Sequence, residues 1–184
     1  MNGRVLLLEP RIDLQLTYVS LVQEFLANDE PLVPFTLGYP HDDFGALIKR
    51  LDDDSRGIGI PEGFVPHSTF WLVSDERELV GVSNLRHALT PRLLREGGNV
   101  GYGIRPSKRG NGYASLLLKL TLEKAGATGL DRVLLTCGKG NVASARVIVK
   151  NGGVLDSEEY IEERKEIIQR YWIDLAKPAN GGCQ

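Results

Sequence analysis

The residues best suited to chemistry lie between Asn99 and Ser115, in the stretch N-V-G-Y-G-I-R-P-S-K-R-G-N-G-Y-A-S. Glycines at Gly110 and Gly112 flank Asn111, and Lys108 and Arg109 precede them. Tyr113, Ala114 and Ser115 follow, and then the apolar run Leu116-Leu117-Leu118. Backbone N–H groups in the first turn of a helix lack internal partners and carry the positive end of its dipole. Glycines let an anion approach those groups closely. The pattern therefore predicts a cradle for a diphosphate, with Arg105, Lys108 and Arg109 as local cations. Two or three charge-assisted hydrogen bonds of about 1.5–3 kcal/mol each would hold a ligand at micromolar affinity. Taken alone, the stretch also reads as a surface turn with two glycines.

Two nucleotide fingerprints fail here. Gly110 and Gly112 are followed by Ser115 where a dinucleotide site needs a third glycine, and no Gly-Lys-Ser/Thr occurs. What the stretch does contain is R-x-x-G-x-A, at Arg109, Gly112 and Ala114. This resembles the acyl-CoA pyrophosphate motif of the GNAT superfamily of N-acetyltransferases. A second stretch, Asn141-Val142-Ala143-Ser144 through Lys150-Asn151-Gly152, is similar to that superfamily's N-x-x-A…Y-x-K-x-G signature. The resemblance implies that Arg109, Gly110, Asn111, Gly112, Tyr113, Ala114 and Ser115 bind the pyrophosphate of acetyl-CoA, with Arg105 beside them. It implies that the Ile104 backbone takes the pantetheine and polarises the thioester. It also implies that Asn141 bonds the pantetheine arm or orders the acceptor site, and that Ser144 lets the arm pass. For Asn141 a plain helix N-cap is the competing reading and is compatible with the first.

The usual acid and base do not carry over. Where the superfamily often has a tyrosine stands Ile148, and where it has a glutamate stands Asn99. An amine near pKa 10.4 carries a deprotonation cost of about 4–5 kcal/mol at pH 7, and an α-amino group near 8 only about 1 kcal/mol. Positioning, a polarising backbone N–H and water would then carry much of the chemistry. His87, at the end of a strand, is the replacement acid or base of suitable pKa. Tyr113 and Tyr102 lie close to the cradle in sequence, and Tyr102 reads as core. Cys137, at the end of an apolar strand, reads as an inert thiol.

The elements that must position these residues follow from periodicity. Arg4 to Glu9 is a strand stopped by Pro10, and Asp13 caps a helix whose face is Leu16, Val19, Val22 and Phe25. A proline-bracketed loop runs from Glu30 to Phe35, then a short helix from Asp42 to Leu51 and a loop from Asp52 to Pro66. By the resemblance, Glu30, Phe35, Tyr39, His41 and Phe64 are acceptor-side residues. Thr69–Ser74 and Leu79–Leu85 form a hairpin. The strand Asn99–Arg105, the helix Gly112–Ala127, a parallel-type strand Arg132–Cys137, a helix from Val142 and a closing hairpin complete the order. That order gives an α/β, mixed α+β sheet, mostly antiparallel, with one β-α-β crossover and helices on both faces. It is also the order of the GNAT-like acyl-CoA N-acyltransferase fold, over essentially the whole chain. Residues 1–176 read as one domain and 177–184 as a polar tail.

Formal net charge is −2 over 184 residues, so no global field draws nucleic acid or acidic membrane. The apolar Val5–Leu8 run is too short for a signal peptide. Cys137 and Cys183 read as free thiols, hence a reducing cytoplasmic compartment, and no metal site is expected. The expected reaction is transfer of an acetyl group from acetyl-CoA to a small-molecule or peptide amine, by direct attack in a ternary complex. An acyl-CoA-binding sensor without catalysis is the alternative. A polyamine acceptor would want the acidic run Asp42, Asp43, Asp52, Asp53 and Asp54, which also reads as a solvated face. Homodimerisation through an edge strand stays open.

Overall fold

The computed structural model describes residues 4–175. The polar tail expected at 177–184, with Cys183, lies outside the described residues. Seven strands form two antiparallel sheets. The first has the order β1 (Val5–Leu8), β2 (His67–Ser74), β3 (Leu79–Arg86), β4 (Val100–Ile104). The second has the order β5 (Arg132–Gly138), β7 (Glu166–Asp174), β6 (Val154–Ile161). Five α-helices join them: α1 (Gln15–Ala27), α2 (Phe44–Arg56), α3 (Pro91–Arg95), α4 (Tyr113–Ala127) and α5 (Val142–Lys150).

Strand β2 is apolar on both faces because both are covered. Trp71 and Val73 pack with Tyr18, Leu21, Phe25, Phe44 and Leu47 of α1 and α2. Phe70 packs with Leu118, Leu122 and Ala125 of α4 and with Ile148 of α5. Each fully buried side chain of this size contributes about 1.5–3 kcal/mol. Together they fix α1 and α2 on one face and α4 and α5 on the other.

Several boundaries differ from the sequence reading. Asp13 does not cap α1; its carboxylate binds Arg11 and Arg77, and Leu14 stands at the cap. Helix α2 continues through Asp52–Arg56, where a loop was expected, because Asp52 and Asp53 face Arg56 and Lys49 one turn away. Strand β5 is antiparallel to β7 rather than part of a parallel ladder.

The crossover β4-α4-β5 joins strands that share no ladder, so the sheet splits between β4 and β5. They meet at one end, through Asn99. Its N–H donates to the Leu134 C=O (2.7 Å) and its Oδ1 accepts from the Leu134 N–H (2.9 Å). Its Nδ2 donates to the Arg86 C=O (3.1 Å), and its own C=O accepts from the Arg86 N–H (2.7 Å). This buried amide joins β3, β4 and β5 at the closed end of the split.

Candidate active site

Beyond Asn99 the split opens into a cleft of about 540 Å³ between β4, the first turn of α4 and the first turn of α5. Strand β4 sends alternate residues to its two faces. Tyr102 and Ile104 face the helices, while Gly101 and Gly103 face the strap at residues 31–35. The strap lies so close that a Cβ on Gly103 would sit 2.1 Å from the Val33 carbonyl oxygen. Only glycine allows that approach.

The same register directs the backbone. Antiparallel pairs alternate between hydrogen-bonded and non-hydrogen-bonded. The bonds Arg86 N–H to Asn99 C=O and Arg105 N–H to Val80 C=O mark bonded pairs at the two ends of the β3–β4 ladder. Ile104 opposite Gly81 and Tyr102 opposite Ser83 therefore occupy non-bonded positions. Their N–H and C=O groups turn from β3 into the cleft, where the Ile104 C=O accepts from Arg109 Nε at 3.2 Å. A ligand amide lying in the split has strand-like partners there.

At the other wall, α4 begins without a side-chain cap. Its cap residue is Gly112, at φ +80°, and no acidic residue lies in its first turn. Helices α2, α3 and α5 are capped by Asp43, Thr90 and Asn141. The N–H groups of Tyr113, Ala114 and Ser115 precede the first intrahelical bond, from Leu116 N–H to Gly112 C=O. They face the cleft together with Gly110 and Gly112, an arrangement suited to an anion. Asn111 steadies the turn by donating to the Lys108 and Arg109 carbonyls. Asn141 Oδ1 accepts from the Ser144 N–H at 3.0 Å, which leaves its Nδ2 for a ligand.

The expected cations behave less simply. Arg105 is buried away from the cleft, donating to Leu79 C=O, Thr17 C=O, Ser20 and Glu24, so it holds α1 to β3 and is not a cradle residue. Lys108 pairs with Glu78 at 2.6 Å, and the bond raises the ammonium pKa. Arg109 lies in the cleft but grips Glu30 through two bonds, 2.7 and 2.5 Å, and the guanidinium lowers the Glu30 pKa. Glu30 thus lines the same cleft as Gly110 and Gly112.

His87 does not reach the cleft. Its Nε2 meets Ser68 Oγ at 2.9 Å, and burial lowers its pKa. Ile148 is buried in the core. Cys137 is a buried free thiol whose pKa burial raises. Tyr102, expected in the core, lines the cleft instead, with its hydroxyl 3.0 Å from Ser144 Oγ and its pKa pushed up to about 12 by burial. The alternation of Tyr102 with Gly101 and Gly103 was the available signal: it puts Tyr102 on the same face as Ile104.

The remaining acceptor-side candidates scatter. Phe35 and Phe64 line a second cavity of about 320 Å³, with His67 and Arg86. Tyr39 lies under the Arg50 guanidinium, and His41 bonds the Tyr39 carbonyl. Asp54 is buried beside His67 at 3.7 Å, while Asp52 and Asp53 are paired on the outside of α2. Asp43 caps α2, and where Asp52 lines a further cavity with Glu9, Lys49 and Lys124 offset the two carboxylates. Among the described residues no group of three or more His, Cys, Asp or Glu side chains gathers for a metal.

A sequence model of the acetyltransferase (GNAT) domain matches residues 15–154, well over half of the chain. The protein belongs to the GNAT acetyltransferase family. Solved structures of the fold agree. A GNAT-family acetyltransferase from Streptococcus pneumoniae aligns at TM-score 0.64 and 16% identity, covering 94% of this chain and 100% of its own. The ribosomal-protein-S5-alanine acetyltransferase of Vibrio fischeri aligns at TM-score 0.66 and 16% identity, covering 95% of each chain. The spermidine N-acetyltransferase of Vibrio cholerae, solved with CoA and spermine, aligns at TM-score 0.64 and 17% identity over 96% of this chain and 98% of its own. No curated protein matches the sequence at a significant level. In this GNAT chain the cleft lies between the two signature stretches, R-x-x-G-x-A and the Asn141 helix.

Proposed function

We propose that the protein transfers an acetyl group from acetyl-CoA to an amine, by direct attack within a ternary complex. The observation that carries this reading is the uncapped N-terminus of α4 facing the same cleft as the outward backbone of Ile104 and Tyr102. The N–H groups of Tyr113, Ala114 and Ser115, with Gly110 and Gly112, hold the diphosphate. Arg109 exchanges Glu30 for it. The exchange trades one charge-assisted pair of a half-exposed guanidinium for another, so the backbone N–H groups of the helix start supply most of the net affinity. The pantetheine amides follow Tyr102 and Ile104 as an added strand, with Asn141 Nδ2 on the far side.

An N–H from β4 polarises the thioester carbonyl while the amine nitrogen attacks and the carbon–sulfur bond breaks. The departing thiolate has a conjugate acid near pKa 8.5, about 3.5 units below Tyr102. Tyr102 therefore keeps its proton and donates a hydrogen bond, and water or the newly formed ammonium supplies the proton. A leaving group this acidic needs no stronger acid, which is why Ile148 is tolerated in the core.

Self-association is best supported at β6, the outer strand of the second sheet, where Val154, Leu155 and Tyr160 are exposed. A spermidine N-acetyltransferase from Vibrio cholerae with this fold is dodecameric. The test of transfer is thiol release from acetyl-CoA across a panel of amines, repeated on Tyr102→Phe. Amine-dependent release, with kcat about tenfold lower in the variant and KM for acetyl-CoA within about twofold, supports the reading. Tight acetyl-CoA binding with no amine-dependent release makes the chain an acyl-CoA sensor.

A further inference from the structure

The second cavity is built where four segments meet: Phe35 at the end of the strap, Gly63–Val65 before β2, the Thr90–Gly97 connection, and Arg164 in the β6–β7 turn. Its floor is His67 and Arg86. The Arg86 side chain is half-buried. Its Nη1 donates to the Gly97 and Gly98 carbonyls at 3.0 and 3.1 Å. Among the described residues no carboxylate pairs with it, and neither Nε nor Nη2 has a protein acceptor. Its partial burial lowers the Arg86 pKa and leaves Nε and Nη2 open to an acceptor from the cavity. The Phe35 ring lies 5.4 Å from it and walls the same space.

The rim adds to this field. Arg92 and Arg164 both face Glu96, at 3.5 and 3.4 Å, and Glu96 is the cavity's one carboxylate. Three guanidiniums against Glu96 and the buried Asp54 carboxylate, 3.7 Å behind His67, leave an excess of one positive charge, in a chain whose formal net charge is −2. Such a lining repels a polycation and attracts an oxyanion.

The cavity and the cleft share one wall, the strap. The strap gives Pro31 and Val33 to the cleft and Phe35 to the cavity. Arg86 stands opposite Asn99, three residues before Tyr102. At about 3.3 Å per strand residue, that separates them by about 10 Å, the length of three extended residues.

We propose that this cavity receives a carboxylate of the acceptor, so that the acceptor is an acidic amine, a peptide N-terminus with an acidic side chain within its first few residues, and not a polyamine. The proposal rests on the transfer reading above, and the experiment separates the two. Acetylation is measured with the tetrapeptides Ser-Asp-Glu-Ala and Ser-Lys-Arg-Ala, with free glutamate and with spermidine, on the wild type and on Arg164→Gln, an exposed rim variant. In parallel, and without acetyl-CoA, each compound is titrated while the Arg86 side-chain Nε–H resonance is followed, Arg86→Lys supplying its assignment.

The acidic peptide is expected to exceed the basic peptide and spermidine in kcat/KM by about tenfold or more, with a several-fold rise in KM in Arg164→Gln. It is expected to shift the Arg86 resonance saturably. Equal use of free glutamate keeps the carboxylate and removes the peptide. Preference for spermidine or the basic peptide, or an Arg86 resonance the acidic peptide leaves unmoved, overturns the proposal whatever the rate of transfer. A saturable Arg86 shift with no amine acetylated overturns transfer and leaves the cavity's ligand standing.

Discussion

Arg109 is held by Glu30 through both arms of its guanidinium, so an anion taken up beside Gly110 and Gly112 must compete with that carboxylate. Glu30 contributes a carboxylate where a diphosphate is expected, and it occupies both arms of the guanidinium. Glu30→Gln removes the charge and keeps the shape. Titration calorimetry is expected to show acetyl-CoA binding about three- to tenfold tighter in this variant, since freeing one surface ion pair is worth up to about 1 kcal/mol and the lost repulsion adds to it. Weaker binding would make Glu30 a positioning residue for Arg109 instead. Neither Glu30 nor Glu78 was legible as a partner. Each is far from the cradle in sequence, and an ion pair between distant segments leaves no local pattern. The cradle was legible because glycine, positive charge and a helix start within a few residues act through local backbone geometry.

The split between β4 and β5 is an element-scale device, and Asn99 is its pivot. All four polar atoms of the residue are bonded, two to Leu134 and two to Arg86. Asn99→Ala leaves the Leu134 N–H without a partner in a buried position and removes the amide donor from the Arg86 carbonyl. Unsatisfied buried groups cost about 1–3 kcal/mol each. Urea denaturation is expected to show a loss of about 2–4 kcal/mol, and acetyl-CoA affinity should fall because the two walls lose their fixed spacing. A variant as stable as the wild type would show that packing alone sets the split. From sequence, the strands and helices were readable through apolar alternation and helical periodicity, and the order of elements gave the fold. The split was not, because β5 reads as a buried run whether it pairs with β4 or with β7. The end of α2 was missed because Asp52, Asp53 and Asp54 are poor helix formers alone, and Lys49 and Arg56 rescue them by pairs along the helix.

At the scale of the molecule, a buried histidine, His67, and a half-buried one, His87, sit near the junction of β2, β3 and the second cavity. His67 and His87 both have pKa values lowered by burial. His67 Nδ1 also lies 3.0 Å from Asn84 Nδ2. In the unfolded chain both protonate near pH 6.5, so between that pH and their lower folded values the unfolded state binds more protons. Stability is therefore full above about pH 6.5 and falls as the pH drops below it, by at most about 1.4 kcal/mol per unit for each ring. Thermal unfolding at pH 7.5 and 5.5 is expected to show a lower Tm at 5.5, with a smaller difference in His67→Gln. A Tm that is flat over this range would mean the rings protonate without cost in the fold.

The central claim is that the start of α4 holds the diphosphate of acetyl-CoA. Calorimetric titration of acetyl-CoA into the wild type and Ser115→Glu tests it most directly. A carboxylate in the first turn of a helix stabilises the fold through the dipole while taking the place of the anion. Micromolar binding to the wild type is expected, with at least about tenfold weaker binding to the variant and a Tm of the variant equal to or above that of the wild type. Equal affinity in the two proteins, or no binding by the folded wild type, would contradict it and return Gly110–Ser115 to an ordinary turn at the head of a helix.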